Sequence, residues 1–283
     1  MKKTILSASV AALLAASAMS AMAEDAPASP LSFNVGVVSD YLFRGVSQTH
    51  GDPALQGGID YAFANGFYVG TWASTISWVK DWQGSGSTEI DFYGGYRGAF
   101  SDPDWTYDVG AIAYTYPGHG KANTGLANPT TTEAYASIGY KWLSAKYSYA
   151  FSKNFVGWYG GVNTDKSTRG SDYLELNANY DLGEGWTAVG HVGHQNVANS
   201  VVTSTGVKSA SYSDWKIGVT KDVGFGVVGL AYSGTDVTGS CNSAGTGTNP
   251  YCWGTNGRSG VAPTSGFKNV AKDQVVLSFT KTF

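Results

Sequence analysis

The sequence predicts an all-β fold: an antiparallel up-and-down transmembrane β-barrel of about twelve strands, preceded by a cleaved signal peptide. Three observations carry this expectation. Segments of about ten residues alternate apolar and polar side chains, the period-2 signature of a sheet with one apolar face. Their connections alternate between tight turns and long polar loops. Aromatic residues gather beside the tight turns, as they do at a membrane interface.

The N-terminus comes first. Met1-Lys2-Lys3 is a basic n-region, Ile5 to Met19 is apolar and free of acids, and Ala21-Met22-Ala23 is an A-x-A cleavage site. Residues 1–23 read as a signal peptide. Residues 24–283 read as one barrel domain with long extracellular loops, notably 234–271. Removing Lys2 and Lys3 takes the 18 basic residues to 16 against 21 acidic, a formal charge of −5. That balance excludes a nucleic-acid binder, which needs a basic surface for phosphate. No later stretch is apolar enough for a membrane helix. The mean hydropathy of −0.14 is what a wall of alternating lipid-facing and lumen-facing residues produces.

The strands follow in order. Strand one is Ser32–Arg44, with Phe33, Val35, Val37, Tyr41 and Phe43 on one face and Asn34, Gly36, Asp40 and Arg44 on the other. Strand two is Ala54–Phe63, closed by the turn signal Asn65-Gly66. Strand three is Phe67–Ile76; a two-residue turn would point Tyr68 and Trp72 outward. Strand four, Thr88–Phe100, alternates Ile90, Phe92, Tyr96 and Phe100 with Glu89, Asp91, Tyr93 and Arg97. Ser101-Asp102-Pro103-Asp104 is turn chemistry. Then come Trp105–Tyr116, Thr131–Tyr140, Ser144–Phe151, Asp172–Leu182, Trp186–Gln195, Tyr212–Lys221, Phe225–Ser233 and Asp273–Phe283.

Connections after the even strands are short and those after the odd strands long, so both termini fall on the short-turn, periplasmic side. Phe63 and Tyr68, Phe100 and Trp105, Tyr140 and Trp142, and Tyr180 and Trp186 flank the short turns and form one interfacial girdle. A β-sandwich explains the alternation but neither the loop rhythm nor the girdle. Twelve strands tilted ~40° enclose a bore about 12 Å wide once side chains are added, less wherever a loop folds in.

The inward parity collects the candidate channel-lining residues Asp40, Arg44, Asp60, Glu89, Asp91, Arg97, Asp108, Glu133, Glu175 and His191, together with Asp181, Asp214, Lys141, Lys146 and Lys216. A first hairpin centred near residue 50 places Asp40 opposite Asp60 and Arg44 opposite Gln56, making an acidic belt of Asp40 and Asp60. The second tight hairpin places Arg97 opposite Asp108. His191 is expected in the lumen opposite Asn177. It points away from His194, because i and i+3 lie on opposite faces of a strand, so the two cannot chelate one metal. Cys241 and Cys252, in an exported chain, read as a disulfide in the last loop. A lipase would need a Ser–His pair with an orienting partner. His194 has the lipid-facing parity, but no serine stands out beside it in the sequence.

Two stretches resemble known signatures. Val275-x-Leu277-x-Phe279-x-x-x-Phe283 resembles the C-terminal signal read by the barrel-assembly machinery, with Phe283 as its last residue and Lys281 where an apolar residue is usual; the lysine's aliphatic stem can snorkel. Val38-Ser39-Asp40-Tyr41-Leu42-Phe43-Arg44-Gly45-Val46-Ser47-Gln48 resembles the opening of the TorF porin family. Gln56 to Tyr61, Gly66 to Ser74 and Glu89 to Tyr96 resemble its next blocks. The resemblance is sharp over residues 36–98. It implies an outer-membrane channel surrounded by lipid, without cofactor or catalytic residue, passing ions and small solutes. The wall charges suggest a weak cation preference. The alternatives are a structural or adhesive barrel working through its loops and, less favoured, an outer-membrane lipase.

Overall fold

The computed structural model describes residues 29–122, 126–158, 167–199, 201–203, 206–245 and 247–283, so the expected signal peptide lies outside the described residues. Twelve strands form the wall: β1 Leu31–Val38, β2 Ala54–Ala62, β3 Phe67–Thr75, β4 Thr88–Ala99, β5 Trp105–Thr115, β6 Thr131–Tyr140, β7 Leu143–Ala150, β8 Asp172–Gly183, β9 Trp186–Asn196, β10 Tyr212–Asp222, β11 Val227–Thr235 and β12 Gln274–Thr282. Each pairs antiparallel with its chain neighbours, and β1 pairs with β12 from Asn34↔Thr282 to Val38↔Ser278, closing the barrel. This is the predicted fold. Closure leaves the wall without an open edge.

The alternation decides which face each residue takes. Val37, Leu55, Phe92, Leu176, Val192, Ile217 and Leu277 all lie exposed on the outside, the apolar outer face that the alternation predicts. Beside the short turns Trp105 and Tyr140 of the expected girdle meet at 4.6 Å and Trp142 and Tyr180 at 5.6 Å between ring centroids, whereas Tyr68 lies inside the tube and Phe67 takes its outer place, 5.0 Å from Tyr96. At the seam Phe283 donates its N–H to the Phe33 carbonyl at 2.8 Å, and its side chain lies on the outer face.

Inside, tyrosines lie flat over glycines. Gly95 and Gly110 are cross-strand partners, and a Cβ on them would come within 2.7 Å of the Tyr68 hydroxyl and 2.6 Å of the Tyr135 hydroxyl. Each missing side chain leaves room for a ring from the neighbouring strand.

Two expectations are corrected here. The turn between β2 and β3 has three residues, Ala64 to Gly66, because Phe63 N–H bonds the Phe67 carbonyl and Ala62 pairs with Tyr68. Gly66 supplies the left-handed residue at φ 94°. One extra turn residue reverses the faces of the following strand, so Tyr68 and Trp72 point inward. Strand one also ends early. The wall stops at Val38, which pairs with Ala54, while Ser32 faces Asp60 and Gly36 faces Gln56. Asp40 is therefore not opposite Asp60, nor Arg44 opposite Gln56. Tyr41 and Phe43, expected on the outside, are buried within.

Candidate functional site in the barrel lumen

The chain leaves the wall at Ser39, whose N–H donates to the Leu277 carbonyl at 2.8 Å and whose hydroxyl accepts from Leu277 N–H at 3.0 Å. It then turns into the lumen. Leu42–Phe43 pairs with Val46–Ser47 across the two-residue turn Arg44-Gly45, at φ 50° and 79°. Both φ values are positive, as this tightest hairpin turn demands, and Gly45 meets them without a Cβ clash. Asp40 clasps the hairpin's base: its Oδ1 accepts from Ser47 Oγ at 2.6 Å and Thr49 Oγ1 at 2.8 Å. Burial pushes the Asp40 carboxyl above the ordinary carboxylate range, against the pull of those two hydroxyls.

The hairpin tip crosses the barrel. Arg44 donates to Glu133 of β6 through Nη2 at 2.6 Å and Nη1 at 3.1 Å, and to Gln195 of β9 at 2.6 Å. Its guanidinium lies 4.3 Å from the Tyr173 ring centroid and 4.7 Å from that of Phe43. Burial alone would lower the pKa of this group; the adjacent Glu133 carboxylate outweighs burial and raises it, so Arg44 stays charged. Tyr41 Oη donates to Glu89 of β4 at 2.6 Å. Burial, then the negative charge of Glu89, raises the pKa of that hydroxyl and keeps it a donor. Beside them Asp91 is 1% exposed, and its Oδ1 has no hydrogen-bond partner.

The long loops close over the hairpin. A short helix, α1 Trp78–Gln83, begins where Ser77 and Trp78 N–H donate to the Gln48 carbonyl at 2.9 and 3.2 Å. In the last loop Cys252–Trp253 pairs with Lys268–Asn269, and the Val270 carbonyl accepts from Ser47 N–H at 2.8 Å. Cys241 and Cys252 form a disulfide at the entry to this ladder. Trp78, Tyr116, Trp158, Tyr212, Tyr251 and Trp253 pack edge-on or tilted, with centroids 5.0–6.2 Å apart. On the long-loop side every strand presents a buried inward residue: Val38, Gln56, Ser74, Glu89, Tyr114, Glu133, Ser148, Tyr173, Gln195, Tyr212, Ser233 and Val276. Among the described residues these side chains, the hairpin and the loops fill the tube at this level, where a free bore was expected.

Below the hairpin the lumen is more open. Glu175 sits 3.6 Å from Lys146 and 3.7 Å from His191. His191 Nδ1 is 2.7 Å from Asn177 Oδ1, its register partner, and Nε2 is 2.9 Å from Asp214. Asp60 accepts from Tyr93 at 2.6 Å, and Asp108 accepts from Tyr68 at 2.7 Å, with Tyr68 also bonded to Tyr135. Arg97 lies opposite Asp108 and stacks 4.9 Å over Tyr68. The structure thus places Asp60, Arg97, Asp108, Glu175 and His191 on the inner wall. Glu89, Asp91 and Glu133 sit against the hairpin, which itself carries Asp40 and Arg44. Lys141 sits instead in the β6–β7 turn, half-exposed and 3.5 Å from Asp104.

The sequence reading missed the partners of Arg44, namely Glu133, Gln195 and Tyr173. Ser39-Asp40 and Arg44-Gly45 are turn signals within an alternating run, and they mark where the chain folds inward. On the outer face His194 Nδ1 stands 3.1 Å from Ser213 Oγ, a neighbour across β9 and β10 that the sequence did not reveal. Among the described residues no carboxylate pairs with His194, and no group of three His, Cys, Asp or Glu side chains could hold a metal ion.

Among solved structures the chain is similar to the KdgM porin, at 8% identity over 89% of this chain and 99% of that one, TM-score 0.49. It is also similar to the NanC porin, at 11% identity over 89% and 97%, TM-score 0.47. For Pseudomonas aeruginosa OprD the identity is 11% over 90% and 66%, TM-score 0.40. No curated protein matches in sequence. The profile of the family described as "Bacterial protein of unknown function (Gcw_chp)" matches residues 22–283, and the chain belongs to that family.

Proposed function

We propose that this barrel is an outer-membrane channel for ions and small solutes, held shut by the hairpin at residues 39–53. The observation that carries the reading is the contrast within one tube. An apolar belt faces outward, and charged side chains line the lumen below an inserted hairpin, with Lys146, Glu175 and His191 among them partly exposed. A barrel serving purely as a scaffold has no use for a lined vestibule. Residues 1–23 act as the export signal, Phe283 as the assembly signal and membrane lipids as the surrounding partner, with both termini periplasmic. A weak cation preference belongs to the same reading, because inward Asp60, Asp108, Glu175 and Asp181 outnumber Arg97, Lys146 and Lys216 below the hairpin.

The full seal favours one second reading, a closed barrel acting through its surface loops. Planar-bilayer recording decides between them. The channel reading expects brief or rare openings in the native protein and steady current once the hairpin is shortened. Silence in both proteins would leave the surface-loop reading. The His194–Ser213 pair offers a base and a nucleophile without an orienting acid. We expect no ester hydrolysis on phospholipid vesicles, and hydrolysis lost in Ser213→Ala would reverse that view.

A further inference from the structure

We propose that the seat of Arg44 on the lumen wall is a recognition site for a solute bearing a guanidinium group, which the hairpin occupies with a guanidinium of its own; its effect on conduction rests on the channel reading above. The seat has three parts. Glu133 of β6 takes both ends of the fork, Oε2 from Nη2 at 2.6 Å and Oε1 from Nη1 at 3.1 Å. Gln195 of β9 takes a further N–H of Nη1 through Oε1 at 2.6 Å. The ring centroids of Tyr173 and Phe155 stand 4.3 and 5.7 Å from the guanidinium carbon. Paired carboxylate oxygens, a third acceptor and flanking rings suit a planar guanidinium. An ammonium is a point charge and cannot make the paired, planar set of bonds.

The wall holds these groups in place without the hairpin. Gln195 donates through Nε2 to the Asp172 and Asn196 carbonyls at 3.0 and 3.1 Å, which leaves Oε1 for the seat. Tyr173, its cross-strand partner, donates to Asp214 of β10 at 2.9 Å. Glu133 Oε2 accepts from Tyr114 of β5 at 3.4 Å. An anchor needs only to grip its own arginine. Acceptors oriented by other partners stay in place when that arginine leaves, and the buried Glu133 then lacks its cation. Asp91 adds to the demand, because its buried Oδ1 has no hydrogen-bond partner. Below the seat the Tyr173 hydroxyl is 2.9 Å from Nε2 of His191, which is partly exposed, so the site borders the open half of the lumen. A solute filling the seat binds only the barrel whose hairpin is displaced, and so favours that state.

The test is amide hydrogen exchange at constant pH on the mature protein in lipid nanodiscs, with n-butylguanidinium, n-butylammonium and n-butylurea as probes at equal ionic strength. The first carries fork and charge, the second charge alone, the third a planar group without charge. Calorimetry on Arg44→Ala, whose seat is vacant, gives the Kd of butylguanidinium. At about ten times that Kd, exchange of the Ser47 and Gln48 amides in the native protein should rise about tenfold, because a ligand of the displaced state alone multiplies its population by roughly the ratio of concentration to Kd. Wall amides should not change, and the other two probes should leave all rates as they were. Glu133→Gln, which removes the charge from the seat, should abolish the response. Should Arg44→Ala fold poorly, a titration of exchange in the native protein supplies the Kd. Equal acceleration by all three probes, none by butylguanidinium, or a full response in Glu133→Gln overturns the proposal. Binding confined to Arg44→Ala overturns it too, since the seat would then serve Arg44 alone. Current from the same samples separates the two readings. Hairpin release by butylguanidinium without current removes the channel and leaves the seat standing; steady current from a shortened hairpin, with no response to the probe in the native protein, does the reverse.

Discussion

The two halves of the lumen are built from the same strands and the same alternation, yet one is sealed and the other open. On the long-loop side the inward residues are Glu89, Asp91, Tyr114, Glu133, Gln195 and Tyr212, and all are buried against the hairpin and loops. On the short-turn side Glu175 stands against both Lys146 and His191, and these three with Lys216 remain partly exposed. The wall does not make this difference. A segment of about a dozen residues does, by bringing Tyr41 to Glu89 and Arg44 to Glu133. A barrel's interior therefore depends on its loops as much as on its strand number.

That contrast can be broken outright. Replacing residues 40–52 with a short Gly/Ser connection should make the sealed half resemble the open one, and turn rare openings into steady current with the wall intact. A heat-modifiable barrel that still carries no current would show that the other loops seal it alone.

A narrower cut is Arg44→Ala. It leaves Glu133 buried without its cation, a loss of about 3–5 kcal/mol for a buried pair broken on one side. The destabilisation should appear in the hairpin's exchange and not in the wall's. Adding Glu133→Ala should restore part of it. Additive effects of the two changes would mean the pair does not anchor the hairpin.

Cys241→Ser with Cys252→Ser should loosen the loop above the seal by about 3 kcal/mol in the chain-entropy model. The barrel should remain folded, because its wall hydrogen bonds do not involve that loop. Loss of folded barrel would contradict this independence.

The smallest effect is expected in the open half. Asp60→Asn, in a variant lacking the hairpin, should lower the K⁺ over Cl⁻ preference modestly, and less at high salt, where screening shortens the reach of wall charge. Unchanged selectivity would remove Asp60 from the conduction path.

The open half was largely legible in the sequence. There each strand keeps strict alternation, so Glu175, His191 and Arg97 could be placed by parity alone. The sealed half was not. Tyr41, Leu42 and Phe43 continue β1's apolar rhythm after the chain has left the wall, and period 2 describes a hairpin in the lumen as well as a wall strand. Ser39 and Gly45 carried the contrary signal, but turn residues do not say which way a loop folds. The Glu133 and Gln195 contacts join positions 89 and 151 residues away from Arg44, a proximity no local pattern encodes. The face of β3 failed on a single residue of turn length.

The seam between β1 and β12 sets an order of events. It joins residues as distant as Ser39 and Leu277, 238 positions apart, so the cylinder can be completed only after nearly the whole chain has emerged. The hairpin follows β1 directly and is tethered at both ends to strands beside that seam. The plug is therefore made with the first strands, long before the strand that completes the cylinder.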